Sequence, residues 1–316
     1  MITQAAKTRK NQFFRGRTNF PATRLLQGTR LASFSLKPDG FQAICSGVTS
    51  TVEKLLERKR PLIIGHRGYA AAAPENTLPS FKLALEAGAD LVELDYQQSR
   101  DGVPMVIHDP VLDRTTNSRK RWRRRRVKVS QRNAAEIQTL DAGSWFAPKF
   151  AGAKVPLLGE ALDFICGHGG VPVIEHKSGD APTLARLLRE RELINRVVVI
   201  SFNWKFLREL HELEPGQILG ALGPPARLSQ GRRPIHPRRQ LSSRLGDLAK
   251  TGARIAVWNR KVSRRSIQRA HDRGVKVWIY TVDNARVARQ LIRRGANAII
   301  SNRIESIRPT IHSLLA

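Results

Sequence analysis

A chain of 316 residues, 41% hydrophobic and 26% charged, can bury a sizeable core, which excludes a disordered protein. Its formal net charge of +29 points to polyanions: nucleic acid, an anionic membrane surface and a small phosphodiester substrate would all be concentrated by such a field. No apolar run approaches the roughly 18 residues of a membrane span, and Cys45 and Cys166 form neither a metal-type spacing nor a disulfide framework, which favours a reducing compartment.

Residues 1–60 are expected to form a separate basic extension. Twelve Lys or Arg there meet only three acids, Asp39, Glu53 and Glu57. Such a stretch reads as a flexible arm, an organellar transit segment or an upstream extension, and Phe13, Phe14 and Phe20 are too isolated to make a secretory apolar stretch. Residues 52–60 read as a short helix leading into the fold. From Pro61 the pattern changes. Residues 62–65, 89–94, 171–175, 197–202, 218–222, 254–258, 275–281 and 298–301 are apolar, β-branched runs of the kind found in parallel strands covered on both sides. Helical patterns intervene at 78–87, 183–192, 204–213, 241–251, 263–273 and 284–294. Eight strands in residues 61–316 predict an α/β fold, a (β/α)₈ TIM barrel, with a doubly wound sheet as the alternative.

One segment breaks the alternation. Residues 103–108 look like a strand but follow the previous one too closely for a parallel crossover, so an antiparallel hairpin turning at Asp101-Gly102 is expected. A turn centred there sets Asp95 about opposite His108 and gathers Glu93, Asp95 and His108 at the rim, the catalytic end of this fold. Residues 119–128, with eight basic residues in ten, and the Pro-, Gly- and Arg-rich 223–239 read as solvated loops.

Several residues could carry chemistry. Gly65-His66-Arg67-Gly68 turns sharply after the first strand and presents a proton-exchanging imidazole beside a guanidinium that can grip phosphate; a structural His in a tight turn is the plainer alternative. Glu75, Asn76 and Thr77 open a helix, and capping alone would explain them, with a role for Glu75 near a metal site as the other possibility. Glu93 and Asp95 alternate onto one side of a strand, facing the barrel axis between Leu91, Val92 and Leu94. Two buried like charges call for a divalent cation, Mg²⁺ or Ca²⁺ by their oxygen donors, unless one carboxylate is protonated or paired with Lys177. His108 could be a second acid or base, or a surface His paired to Asp109. Glu175 could give a third oxygen and Lys177 neutralise phosphate, while His176 points the other way, toward a helix. Ser201, Phe202, Trp278, Tyr280 and Thr281 end later strands and either shape the pocket or belong to the core.

Residues 63–117, reading IIGHRGYAAAAPENTLPSFKLALEAGADLVELDYQQSRDGVPMVIHDPVLDRTTN, resemble the glycerophosphodiester phosphodiesterase family. The resemblance continues through LDAGSWF at 140–146, through 172–177, 201–202, 274–283 and 295–303, and weakens at 119–133 and 223–252. It implies a metal-dependent barrel enzyme that hydrolyses a glycerophosphodiester to glycerol 3-phosphate and an alcohol. By position, His66 and His108 would be the acid/base pair, Glu93, Asp95 and Glu175 the metal ligands, and Arg67 and Lys177 the phosphate-binding groups; Trp278 is taken as a further substrate contact. The basic run replaces a short polar loop, His176 stands where an apolar residue is usual, and the proline common after the final strand is missing from 301–304. An alternative within the same barrel is a phospholipase D-like enzyme acting on lysolipid or sphingolipid headgroups, with the basic loop against a membrane. A non-enzymatic polyanion-binding protein would instead use residues 1–60 and 119–128, though few aromatics interleave them, so nucleic acid is disfavoured. The compartment expected is cytoplasmic, with organellar or exported as the alternative.

Overall fold

A computed structural model describes residues 52–224 and 237–313. The expected extension therefore lies outside the described residues up to position 51, as do Cys45 and residues 225–236 of the Pro-, Gly- and Arg-rich loop. The described residues all belong to one compact unit.

The alternation read from the sequence is the architecture observed. Among the described residues the strands are β1 Leu62–Gly65, β2 Leu91–Gln98, β3 Pro104–Val106, β4 Pro172–His176, β5 Val198–Ser201, β6 Ile218–Gly223, β7 Ile255–Asn259, β8 Lys276–Tyr280 and β9 Ala298–Ser301. All but β3 run parallel, and β1 pairs with both β2 and β9, so the sheet closes on itself. The result is a (β/α)₈ barrel. Helices α1 Val52–Glu57, α2 Leu78–Glu86, α3 Ser118–Trp122, α4 Ala134–Gln138, α5 Leu158–Gly167, α6 Ala181–Glu190, α7 Trp204–Leu213, α8 Pro237–Ala249, α9 Arg264–His271, α10 Ala285–Arg293 and α11 Ile304–His312 complete it.

Alternating parity divides each strand between two cores. On β2, Val92, Leu94 and Tyr96 pack outward against the helices, whereas Leu91 joins the barrel interior with Leu62, Ile64, Val173 and Ile200. Glu93 and Asp95 share Leu91's parity and therefore point inward. Helix α1 adds Val52, Leu55 and Leu56 to the same interior cluster. This is the short helix expected ahead of the first strand, and each such side chain removed from water contributes about 1.5–3 kcal/mol.

Residues 99–157, between β2 and α5, build a lobe with a core of its own around Met105, Ile107, Leu112, Val129, Ile137 and Leu140. It opens on the expected hairpin, but one residue out of the expected register. Tyr96 pairs with Val106 and Gln98 with Pro104, so the turn centres on Asp101 and, one step further along the ladder, Asp95 faces Ile107 rather than His108. The loop closes with Ser99 and Val103 bonded (3.0 Å) and Gly102 at φ +79, a three-residue turn. His108 still reaches the rim, because Gln97 Nε2 donates to its carbonyl (2.9 Å).

Candidate active site

The site forms where β1, β2 and β4 end. After β1 the backbone turns back so tightly that a Cβ on Gly68 (φ +83) would stand 2.3 Å from Ser80 Oγ and 2.6 Å from the Ser80 carbonyl carbon. Only glycine fits there. Arg67 itself takes φ +53, a conformation costing roughly 1–2 kcal/mol for an L-residue. Its N–H donates to Glu93 Oε2 (2.7 Å), which holds the turn against the next strand.

Glu93, Asp95 and Glu175 are all buried, and one oxygen from each lies within 4.8 Å of the others. The β2–β4 register, which sets Asp95 beside Glu175, produces this convergence. Two cations stand among the three carboxylates. Arg67 Nε is 3.3 Å from Asp95 Oδ2, and Lys177 Nζ bonds Glu175 Oε1 while lying 3.1 Å from Asp95 Oδ1 without the alignment of a hydrogen bond. Glu93 Oε1 is buried with no partner. Three anions against two cations cannot all stay ionised away from water. Burial, with repulsion from Asp95 and Glu175, pushes Glu93 well above the usual carboxylate range. Burial and the Asp95 charge push Glu175 up to about 7. For Asp95, burial acts upward too, but Lys177 and Arg67 outweigh it and hold the carboxyl low. A cluster of oxygen donors with an orphaned buried oxygen fits a hard divalent cation, which would take the place of the protons.

The two imidazoles line one cavity of about 200 Å³ together with Arg67, Glu93, Glu175 and Lys177. Each is gripped from behind at Nδ1. Asn302 Nδ2 donates to Asp283 Oδ2 (2.8 Å), a carboxylate that can only accept, so the amide oxygen must be the atom 2.7 Å from His66 Nδ1. His66 therefore carries its proton on Nδ1 and leaves Nε2 unprotonated. His108 Nδ1 meets Asp109 Oδ1 (2.6 Å), again an acceptor, so its Nδ1 also donates. Burial lowers both imidazole pKa values, with Arg67 adding to it at His66, and Lys177 and Arg67 adding to it at His108 against the pull of Asp95. Asp109 is lowered to about 2 by the hydrogen bond from Arg114, with His108 contributing.

The family profile of the glycerophosphoryl diester phosphodiesterases matches residues 66–306. The chain belongs to that family. It is thus a phosphoric diester hydrolase that cleaves glycerophosphodiesters. A glycerophosphodiester phosphodiesterase of Caldanaerobacter subterraneus is 30% identical over 254 residues, covering 78% of this chain and 96% of that one. One from Bacillus subtilis is 36% identical over 180 residues, 51% of this chain and 59% of its own. Among solved structures, a glycerophosphodiester phosphodiesterase of Agrobacterium tumefaciens superposes with a TM-score of 0.65 at 29% identity, covering 79% of this chain and 99% of its own. A phosphodiesterase of Oleispira antarctica, in complex with the product sn-glycerol-3-phosphate, gives a TM-score of 0.69 at 25% identity over 80% and 97%. Glycerophosphodiester phosphodiesterases are metal-dependent, and the buried carboxylate cluster could bind a divalent ion in this one.

Other expected site residues sit as follows. Glu75 stays outside the carboxylate trio and bonds Arg67 (2.8 Å) and Arg114 (2.7 and 2.8 Å), which outweigh burial and lower its pKa. Trp278 is placed differently from expectation. It is fully buried in the barrel interior and does not line the cavity; Tyr280 and Thr281 do. Residues 278 and 280 share an inward parity, and 278 lies one layer deeper along β8. Capping does not explain Asn76 or Thr77 either. Thr77 Oγ1 donates to the Pro74 carbonyl, while Asn76, at φ +58, donates to Asp95 Oδ2 (2.9 Å) and accepts from the Asp95 N–H (3.1 Å). His176 packs outward as expected, stacked on Phe206 with centroids 3.6 Å apart. No helix among the described residues is long and apolar enough to cross a membrane.

Proposed function

We propose that the chain hydrolyses soluble glycerophosphodiesters to glycerol 3-phosphate and an alcohol, with His66 and His108 as the acid/base pair. The observation that carries this reading is the single small cavity onto which both imidazoles open beside three buried carboxylates. At about 200 Å³ it lies below the roughly 300–1,000 Å³ of drug-sized ligand sites, which suits a headgroup and leaves an acyl chain outside. Glu93, Asp95 and Glu175 would hold Mg²⁺ or Ca²⁺, which when bound would supply Lewis-acid stabilisation of charge developing on phosphate oxygen. Arg67 and Lys177 flank the phosphate position as fixed cations. His66, lowered by burial and by Arg67 and backed only by a neutral amide, stays unprotonated, and its free Nε2 would take the proton from the glycerol hydroxyl next to the phosphoester as that oxygen attacks phosphorus. His108, whose imidazolium is supported by Asp109, would protonate the departing alkoxide. Water then opens the cyclic phosphate with the two proton transfers reversed. A cytoplasmic setting and contact of the basic segments with an anionic membrane surface belong to the same reading.

The products decide between bond choices. Incubation with glycerophosphocholine should release glycerol 3-phosphate and choline; release of phosphocholine and glycerol would reject this assignment. Asn302 offers a finer check. Asn302→Ala frees the His66 ring to rotate and exchange tautomers, so kcat should drop roughly 10- to 100-fold, the scale of losing an orienting partner behind a functional imidazole. KM should stay within about twofold, since no substrate contact is removed. A rise in KM with unchanged kcat would count against the orienting role.

A further inference from the structure

We propose that residues 118–128 and 141–150 form a docking surface for an anionic phospholipid bilayer, placed so that the cavity mouth faces the headgroup layer. This rests on the reading of the site as one that takes glycerophosphodiester groups, and names where such groups are met.

The first observation is a set of cations that the fold does not use. Eight Lys or Arg between 119 and 128 are exposed, and their side chains have no hydrogen-bond or ion-pair partner among the described residues. Neighbouring Arg132, by contrast, stacks 4.3 Å over Trp122 and bonds Glu136 (2.8 Å). Helix α3 ends at Arg123 in the left-handed region (φ 49), and Arg126 repeats that conformation (φ 57). Glycine or asparagine would relieve both positions, so each arginine sits there at a backbone penalty. The segment is nonetheless anchored. Arg126 N donates to Asp113 Oδ2 (2.7 Å), Leu112 N to the Val127 carbonyl (2.9 Å) and Val129 N to the Pro110 carbonyl (3.0 Å). Pro110 is two residues past His108, so the basic platform is laced to the chain that carries one wall of the cavity.

The second observation is aromatic. Asn117 and Asp141 exchange hydrogen bonds (3.0 Å each way), which sets the turn at 141–150 beside α3. There Trp145 is 42% exposed, one of two exposed large hydrophobics among the described residues. Its Nε1 donates to the Ala142 carbonyl (2.8 Å), and its ring meets Phe146 edge-on at 5.7 Å, which in turn meets Phe150. Lys149 Nζ lies 5.0 Å from the Phe150 ring centroid. A half-exposed indole and phenyl rings beside dense Lys and Arg suit the boundary between headgroups and acyl chains. Single-stranded nucleic acid would need rings interleaved with the cations, yet Trp122 is covered by Arg132 and the other aromatics stand to one side. Lipid is the better fit. Glycerophosphodiester headgroups of lysolipids would then enter the small cavity from the bilayer while their tails stay behind.

Flotation of the full-length chain with phosphatidylcholine vesicles, with and without phosphatidylserine, tests the surface independently of turnover. Each Lys or Arg near an anionic surface contributes about a fivefold gain in partitioning, so R121E/R124E/R125E should weaken binding to the anionic vesicles on the order of 100-fold. An equal charge change on α10, R286E/R289E/R293E, should cost less than about a tenth of that effect if the surface is local and not the summed field of the molecule. W145A should reduce the binding that survives high salt, where charge is screened. Turnover of soluble glycerophosphocholine should be unchanged in all three, which also shows that they fold. Equal losses from the two triple variants would overturn the proposal. So would undiminished vesicle binding by R121E/R124E/R125E with a selective loss of single-stranded oligonucleotide binding, which would make the surface a nucleic-acid site. Selective vesicle binding by a wild-type chain with no turnover of the soluble diester would support the surface and reject the proposed catalytic reading alone.

Discussion

His66→Ala is expected to lower kcat on glycerophosphocholine by roughly 10²- to 10⁴-fold, the contribution of a positioned general base. His108→Ala should fall in the same range, and the double variant should lose far less than the product of the two, because both groups serve one proton-transfer cycle. The leaving group separates their roles. When choline is replaced by p-nitrophenolate, which departs without being protonated, the first turnover of p-nitrophenolate release should be largely restored in His108→Ala and not in His66→Ala, while opening of the cyclic phosphate still needs both groups. That asymmetry follows from what stands behind each ring: a neutral amide 2.7 Å from His66 Nδ1 and a carboxylate 2.6 Å from His108 Nδ1. Recovery of His66→Ala in place of His108→Ala would exchange the assignments. Equal recovery of both would remove the distinction.

Removing divalent cations should reduce turnover on the order of 1,000-fold, since Lewis-acid stabilisation is worth several kcal/mol. It should also leave a signature in stability that needs no assay of activity. Without a cation, Glu175 is raised from the ordinary 4.5 to about 7 in the folded chain. Between those values the unfolded chain has released its proton and the folded chain has not. Stability of the cation-free protein should therefore be highest below pH 4.5 in this contribution, fall as pH rises, and level off above about pH 7. The gap, 7 minus 4.5, corresponds to at most about 3 kcal/mol. Melting temperatures measured across that window with chelator should show the decline, and added Mg²⁺ or Ca²⁺ should reverse it. Glu175→Gln should flatten the curve and abolish the response to cation. A melting profile indifferent to both chelator and this substitution would refute the metal assignment.

Much of the architecture is legible in residue order because it depends on short-range periodicity. Continuous apolar runs alternating with helical stretches give the barrel, and the parity of Glu93 and Asp95 is correct for the same reason. What escapes is whatever depends on one residue of turn geometry or on distant partners. A three-residue turn centred on Asp101 instead of Asp101-Gly102 shifts Asp95 to face Ile107. Trp278 has inward parity, but depth along a barrel axis is not encoded in parity. Asn76 and Asn302 are the instructive cases. Each looks like a cap or a turn residue locally, and each acts on a group 19 or 236 positions away. Local chemistry could have flagged Asn76, since a non-glycine residue held in a left-handed turn often answers to a distant partner; nothing near Asn302 announces His66.

The lobe at 99–157 carries its own apolar centre and contributes His108, whereas the three carboxylates and His66 stand on the barrel frame. Ion capture and half of the proton traffic are thus rooted in a scaffold that cannot change without breaking the closed sheet. The appendage can be lengthened, recharged or reshaped with little consequence for that frame. Diversity among such enzymes in what they meet first, a free solute or a crowded interface, would accumulate in this appendage, with the reaction itself held constant beneath it.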